Sequence, residues 1–205
     1  SRFTEARVEK YYRRASTVVL PPALALYEKT QHLPAEQPKP QRNFFLVVSR
    51  LTRSKKIAPV IEAFNKLGFS LVIVGNGPER QALQKIAAKN IRFAGFAADA
   101  ALAELYQGAR AVIFPAEEDF GMVAAEALSF GAPVIAYEYG GIQEIIVPEK
   151  TGELFHAQMP EIIAEGVRRF LVREGQYDTE LMRSSVAHLT KENFQKQMRE
   201  FLQTL

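Results

Sequence analysis

Short apolar runs alternate along the chain with longer segments in which apolar residues recur at helical spacing. All but one of the runs are apolar throughout, which is typical of strands that are covered on both faces. Predicted strands lie at 44–48, 71–74, 91–93, 111–114 and 134–137. Predicted helices lie at 57–67, 79–88, 100–107, 120–130 and 142–146, followed by a mainly helical tail. This alternation predicts an α/β domain with a parallel sheet between two layers of helices.

The residues before the first of these strands have a different pattern. They predict a helix at 1–12 and a short strand at 16–20, after which Pro21-Pro22 stops regular structure. The segment 33–42, LPAEQPKPQR, holds three prolines and no apolar face, which indicates a linker or an exposed loop. We therefore expect the globular unit to begin near Asn43.

Composition excludes several classes of protein. With 205 residues, 47% of them hydrophobic, the chain is long enough for one or at most two domains. No apolar run approaches the roughly 20 residues of a membrane span or resembles a signal peptide, so the expected location is the cytoplasm. Cysteine is absent, which excludes disulfides and thiolate chemistry. The three histidines, at 32, 156 and 188, are too far apart in sequence to suggest a metal site.

The net charge of +3 gives little reason to expect a nucleic-acid partner. The densest basic cluster is Arg7–Arg14, RVEKYYRR. A solvated helix face is the favoured interpretation of this cluster, and contact with anionic lipid is the alternative, as a peripheral membrane contact of a longer protein.

The segment 115–134, PAEEDFGMVAAEALSFGAPV, follows a predicted strand and begins a predicted helix. Asp119 is explained by the favourable effect of negative charge near a helix N-terminus. Glu126 lies about two turns into the helix among alanines, where a carboxylate needs a polar partner. A ligand with an anion at the helix N-terminus and hydroxyls on either side would meet Glu118 at one end and Glu126 at the other. A nucleotide diphosphate sugar has this layout.

Glu118 and Glu126 also form the E-x7-E arrangement, and the chain here resembles the retaining glycosyltransferases of family 4. The run PAEEDFG is similar to the bacterial members that transfer mannose in surface-polysaccharide synthesis. The resemblance implies the C-terminal, donor-binding half of a GT-B fold, with a Rossmann-like sheet. On this basis 1–42 is the end of an acceptor lobe with its linker, 43–190 binds the nucleotide sugar, and 191–205 is a helix that returns toward the first lobe. It also places Phe120, Gly121 and Met122 in contact with substrate.

In a parallel sheet, ligands bind beyond the carboxyl ends of the strands, and further motifs follow the strands here. After 44–48 comes SRLTRSKK, which alone indicates only a basic loop. It resembles the family signature G-R-L-x3-K-G, whose Arg and Lys hold the donor diphosphate, and so assigns this role to Arg50 and Lys55. Lys56 replaces the last glycine, which leaves open whether Lys55 or Lys56 reaches the phosphate.

The segment VGNGPER after the second predicted strand contains Gly75 and Gly77 but is not a dinucleotide fingerprint. Arg80 occupies the position of the third small residue, and Gly95 lies near the position where an acidic residue should bind the ribose. A turn is therefore the expected structure, and the similar family segment also forms one.

Two further segments gain a role only from the resemblance. In AGFAADA the backbone of Phe96 and Ala97 is expected along the edge of the nucleotide base, with Asp99 as an acceptor for guanine. Asp99 is also the expected N-cap of the following helix, which is the simpler interpretation. Gly140 and Gly141, with Glu144 after them, resemble the family's glycine pair and acidic residue beside the donor sugar, although a turn alone is the simpler interpretation of the two glycines. With TGELF at 151–155, six motifs occur in family order over roughly 110 residues.

The expected function is transfer of a hexose, in particular mannose, with retention of configuration. The donor would be GDP- or UDP-linked, the acceptor a glycan or lipid-linked molecule on the other lobe, and no metal or other cofactor is expected. Arg50 and Lys55 would offset charge on the departing diphosphate, Glu118 would orient the hexose hydroxyls, and Glu126 would bind the ribose. The alternatives are a nucleotide-sugar epimerase of the same fold and a non-catalytic binding module. This chain alone is expected to transfer no sugar.

Overall fold

The computed structural model describes residues 1–31 and 42–204. Six strands form one sheet: β1 (Phe44–Val48), β2 (Leu71–Val74), β3 (Ile91–Gly95), β4 (Ala109–Phe114), β5 (Val134–Tyr137) and β6 (Gly152–Phe155). The helices of the described residues are α1 (Arg2–Tyr12), α2 (Ala25–Thr30), α3 (Ile57–Leu67), α4 (Arg80–Ile86), α5 (Asp99–Gly108), α6 (Met122–Ser129), α7 (Pro160–Arg173), α8 (Thr179–Val186) and α9 (Lys191–Leu202). Short 3-10 turns lie at Arg53–Lys55, Gly141–Glu144 and Glu174–Gln176.

The sheet is parallel throughout and has the strand order β3-β2-β1-β4-β5-β6. The chain builds outward from β1 to β3, then crosses back to β4 and builds outward on the other side. The order therefore reverses between β1 and β4, and the loops that follow these two strands diverge there. Such a switch point is where open α/β sheets bind their ligands.

The strands are apolar on both faces because each face has its own core. In β1, Leu46 packs with Tyr106 and Leu128 of α5 and α6, whereas Phe45 packs with Phe64 and Phe170 of α3 and α7. All six side chains are fully buried. The predicted α/β fold with a Rossmann-like parallel sheet and helices on both faces is confirmed.

Several predicted elements differ from the structure, and the predicted helix at 142–146 is the 3-10 turn at Gly141–Glu144. Residues 16–20 form no strand, and the backbone N–H of Leu20 instead points to Gln197 of α9, at 3.4 Å from its side-chain oxygen. The short helix α2 was not predicted, and neither was β6. Strand β6 escaped detection because Glu153 lies within it, 4% exposed, with its carboxylate bound by Arg169 and Arg173. The predicted linker, apart from Arg42, lies outside the described residues.

Candidate active site

Lys55 and Glu118 meet at the switch point of the sheet. Lys55 ends the 3-10 turn that follows β1, Glu118 lies in the loop after β4, and their side chains form an ion pair. The two side chains are 28% and 30% exposed, so both remain within reach of a ligand. Arg50 lies in the same β1 loop and is exposed. The basic loop and the acidic loop predicted from separate motifs are therefore brought together.

Lys56 has a different role from Lys55. It is exposed and adopts a φ of 54°, in the left-handed region that favours glycine, where it connects the 3-10 turn to α3. This backbone conformation explains why glycine suits the position in the resembling motif. Of the two lysines, Lys55 is the one that the fold places against Glu118.

Gly75 and Gly77 hold the β1 loop through close backbone contacts. A Cβ on Gly75 would lie 1.9 Å from the carbonyl oxygen of Ser49, and one on Gly77 would lie 2.3 Å from that of Leu51. The N–H of Leu51 in turn donates to the carbonyl of Asn76 at 3.0 Å. The predicted turn is present, and it supports the loop that carries Arg50 and Lys55.

The loops after β4 and β5 are joined in a similar way. The N–H of Gly141 donates to the carbonyl of Glu118 at 2.8 Å, and Gly140 forms a β-bridge with Glu118. Gly140 has a φ of 102°, and a Cβ there would lie 2.4 Å from the same carbonyl oxygen. The glycine pair thus fixes the backbone of Glu118, a packing role that its motif did not reveal.

Helix α6 begins beside Glu118. Gly121 is its N-cap with a φ of 103°, and among the described residues no side chain caps this end. Phe120 and Gly121 are buried, whereas Met122 is 46% exposed. The helix therefore starts two residues later than predicted. Its first backbone N–H groups lack side-chain acceptors, a setting that favours an anion.

Glu126 is held by Tyr106 of α5, whose hydroxyl donates to Oε2 at 3.1 Å. Sequence reasoning predicted that this carboxylate needs a polar partner but could not find Tyr106, because no motif links the two positions. Burial raises the pKa of Glu126, the Tyr106 hydrogen bond opposes that change, and the negative charge of Asp99 adds to it. Burial and the neighbouring Glu126 carboxylate also raise the pKa of Tyr106. Glu126 is therefore a constrained carboxylate on the side of α6 that faces α5.

The loop after β3 presents Phe96, which is 80% exposed, at the rim of a cavity of about 490 Å³ that Ala97 also lines. The N-cap interpretation of Asp99 is wrong. Ala98 occupies that position, and Asp99 is the first residue of α5, where its carboxylate pairs with Lys29.

Within residues 1–31 and 42–204, no group of three or more histidine, aspartate or glutamate side chains is arranged to hold a metal ion. No helix in the same ranges is long and apolar enough to cross a bilayer.

The family model described as glycosyl transferases group 1 matches residues 28–183, which is more than half of the chain. The chain belongs to the group 1 glycosyltransferases. A GDP-mannose-dependent alpha-mannosyltransferase of Mycolicibacterium smegmatis is 34% identical over 108 residues, which cover 52% of this chain and 28% of that protein.

Solved structures of glycosyltransferases with the GT-B fold share the architecture of this group 1 domain. Sucrose-phosphate synthase from Thermosynechococcus elongatus matches with a TM-score of 0.78 and 25% identity over 100% of this chain and 56% of that one. HepE of Anabaena, in complex with UDP and glucose, matches with a TM-score of 0.68 and 21% identity over 88% and 52%. The chain spans about a third of the length of the curated relatives it matches, with 35%, 38% and 28% for three of them.

Proposed function

We propose that this group 1 domain binds the donor of a retaining hexosyltransferase and presents it to an acceptor held by another part of the protein. The donor is a nucleotide diphosphate sugar, with GDP-mannose favoured over a UDP-sugar. The Lys55–Glu118 ion pair at the switch point, beside the N-terminus of α6, is the observation that carries this proposal. The mannosyltransferase named above supports GDP-mannose as the donor. The UDP in the HepE complex supports the alternative, a UDP-sugar.

The diphosphate belongs between the β1 loop and α6. Arg50 and Lys55 are cations on one side, and the uncapped N-terminus of α6 offers N–H groups and a partial positive charge on the other. In the structure, the Glu118 carboxylate pairs with Lys55. A bound diphosphate takes over Lys55, and this exchange leaves the Glu118 carboxylate able to accept hydrogen bonds from hexose hydroxyls.

The nucleoside then extends toward α5. Glu126 accepts from the ribose hydroxyls while it keeps its hydrogen bond from Tyr106, since a carboxylate has several acceptor sites. The exposed ring of Phe96 lies at the rim of the cavity beside Ala97, where a nucleobase can stack. During transfer, negative charge grows on the diphosphate as the bond to the sugar breaks, and Arg50, Lys55 and α6 stabilise it.

Two adjacent lysines give a matched test of the diphosphate position. Lys55→Ala should weaken the binding of GDP or UDP about 10- to 100-fold, as for loss of a charge-assisted hydrogen bond, and leave guanosine or uridine unchanged. Lys56→Ala, at the exposed neighbour, should change neither. Isothermal titration calorimetry measures all four ligands. Equal losses for Lys55→Ala and Lys56→Ala would show that net charge, and not a defined site, attracts the diphosphate.

The neighbouring glutamates test the sugar position. Glu118→Gln should leave GDP binding unchanged or tighter, because it frees Lys55, but should weaken GDP-mannose relative to GDP by about tenfold. Glu117→Gln, at the exposed preceding residue, is the control. If Glu118→Gln lowers the affinity for GDP and GDP-mannose by the same factor, Glu118 does not contact the hexose.

A further inference from the structure

The N-terminal helix α1 contacts the β4 loop of the candidate site. The guanidinium of Arg7 pairs with the carboxylate of Asp119 at 2.6 Å, and the hydroxyl of Ser1, the N-cap of α1, donates to the carbonyl of Asp119. Asp119 directly follows Glu118 in the chain. The segment that sequence analysis assigned to another lobe therefore touches the loop that carries the proposed sugar ligand.

The same helix end also contacts the β5 loop. The two oxygens of Glu144 accept hydrogen bonds from the backbone N–H groups of Arg2 and Phe3, each at 3.1 Å. These are the first N–H groups of α1, so a carboxylate outside the helix satisfies donors that the helix itself cannot. The ring of Phe3 packs edge-on against Tyr139, with centroids 5.5 Å apart. We call the contacts of Asp119 and Glu144 with α1 the α1 clamp.

The clamp acts on a pair of loops that are already connected. Glu144 ends the 3-10 turn that begins at Gly141, and the N–H of Gly141 holds the carbonyl of Glu118. Asp119 is adjacent to Glu118 in sequence, and Glu144 is three residues from Gly141. A displacement of the Asp119 or the Glu144 carboxylate therefore also displaces Glu118. Arg2 and Phe120 also line a shared cavity of about 490 Å³ between α1 and these loops.

The clamp depends on polar contacts, because no residue of α1 is buried. The Arg7 and Asp119 side chains are more than half exposed, and an ion pair of that kind contributes little by itself. The two hydrogen bonds to Glu144 are charge-assisted and contribute more. The α1 clamp therefore holds the β4 and β5 loops but is not part of the hydrophobic core that stabilises the sheet.

We propose that Glu144 and Asp119 are positioning residues, which fasten α1 to the site loops and so keep Glu118 in place for the donor sugar. This inference rests on the proposed function for its effect on the donor. The clamp consists of contacts within the chain, and it can be tested without any nucleotide.

Hydrogen exchange, measured without nucleotide, tests the α1 clamp directly. Glu144→Ala should speed exchange in 117–121 and 140–144 by about tenfold while the strands keep their protection, and Glu144→Gln, which keeps one acceptor oxygen, should have a smaller effect. Arg7→Gln should speed exchange in 117–121 about twofold. Glu9→Gln, on an exposed face of α1, should change nothing. Unchanged exchange in both loops of Glu144→Ala would overturn the proposal, and so would faster exchange across the whole sheet.

Calorimetry then separates positioning from direct contact. If Glu144 positions Glu118, Glu144→Ala and Arg7→Gln should both weaken GDP-mannose more than GDP, although Arg7 carries no proposed ligand contact. If only Glu144→Ala weakens GDP-mannose binding, and hydrogen exchange in the two loops is unchanged, then Glu144 contacts the sugar directly and does not position Glu118. Failure of the unaltered chain to bind either ligand would refute the proposed function. The α1 clamp would then be tested by hydrogen exchange alone.

Discussion

At the residue scale, the sequence predicts which side chains need partners better than it predicts the partners. Glu126 among alanines implied a polar neighbour, and the structure supplies Tyr106 from a helix that no motif connects to it. Lys55 and Lys56 were equivalent in sequence, and only the left-handed backbone of Lys56 and the contact of Lys55 with Glu118 separate them. Roles that depend on backbone geometry or on contacts between distant segments are not visible in a linear pattern.

Glu126→Gln should stabilise the ligand-free chain at neutral pH by about 1 kcal/mol. Burial raises the pKa of Glu126, so the folded state holds the proton more tightly than the unfolded state does. The carboxylate therefore costs stability as the pH rises through its folded pKa, whereas the amide keeps the Tyr106 hydrogen bond without that cost. Below about pH 4, where the carboxyl is protonated in both states, the gain should disappear.

Urea unfolding of Glu126→Gln at pH 4 and pH 7 measures this difference, with the exposed Glu62→Gln as the control. The same substitution should weaken GDP, because a neutral amide is a poorer acceptor for ribose hydroxyls. Lower stability at pH 7 would show that Glu126 has stabilising contacts beyond Tyr106.

At the scale of elements, apolar runs identified β1, β2, β4 and β5 because these strands are buried by α3, α5, α6 and α7. The edge strand β3 was also predicted, although its Arg92 is exposed. Strand β6 was missed because Glu153 interrupts its apolar run, and its partners Arg169, Arg173 and Tyr177 come from later helical segments. The motifs predicted loops that follow strands, and in the structure each of these loops does follow a strand. It did not show that Gly140 and Gly141 serve the backbone of Glu118.

Gly140→Ala should lower stability by about 2 to 4 kcal/mol, because it combines backbone strain with a collision against Glu118. Gly68→Ala is the control for left-handed strain alone, since Gly68 has a φ of 75° and a ψ of -3° and no atom within 4 Å of an added Cβ, whereas Gly140 has a φ of 102° and a ψ of -162°, a conformation that few residues other than glycine adopt. That control should cost only about 1 kcal/mol, for left-handed strain alone.

Thermal unfolding of both variants measures how much more the strain and collision at Gly140 cost than left-handed strain alone at Gly68. GDP-mannose binding should fall in Gly140→Ala even at temperatures where the variant is folded, because the Glu118 loop is displaced. Equal destabilisation by the two substitutions would show that the loop moves aside without cost.

At the scale of the whole molecule, the topology brings separate motifs to one edge of the sheet. The exposed and half-exposed apolar residues of α9 are Phe194, Met198, Phe201 and Leu202, and no residue of that helix is buried. These residues form a stripe at helical spacing, and sequence analysis assigned 191–205 to a helix that returns toward a first lobe. The docking of α1 on the site loops was not predicted, since it depends on hydrogen bonds between residues more than a hundred positions apart.

We expect this chain to bind donor and to transfer no sugar, because binding needs only the loops of this sheet, whereas transfer also needs an acceptor lobe. A longer protein that includes such a lobe should transfer mannose from GDP-mannose to its acceptor, and Lys55→Ala should reduce that activity. In the longer protein, α9 should be protected from hydrogen exchange because the lobe covers its apolar stripe, and Phe194→Ser should expose it again. Radiolabelled transfer and hydrogen exchange on both lengths of chain measure these outcomes. Transfer by the present chain at a rate similar to that of the longer protein would show that the acceptor groups already lie within residues 1–205.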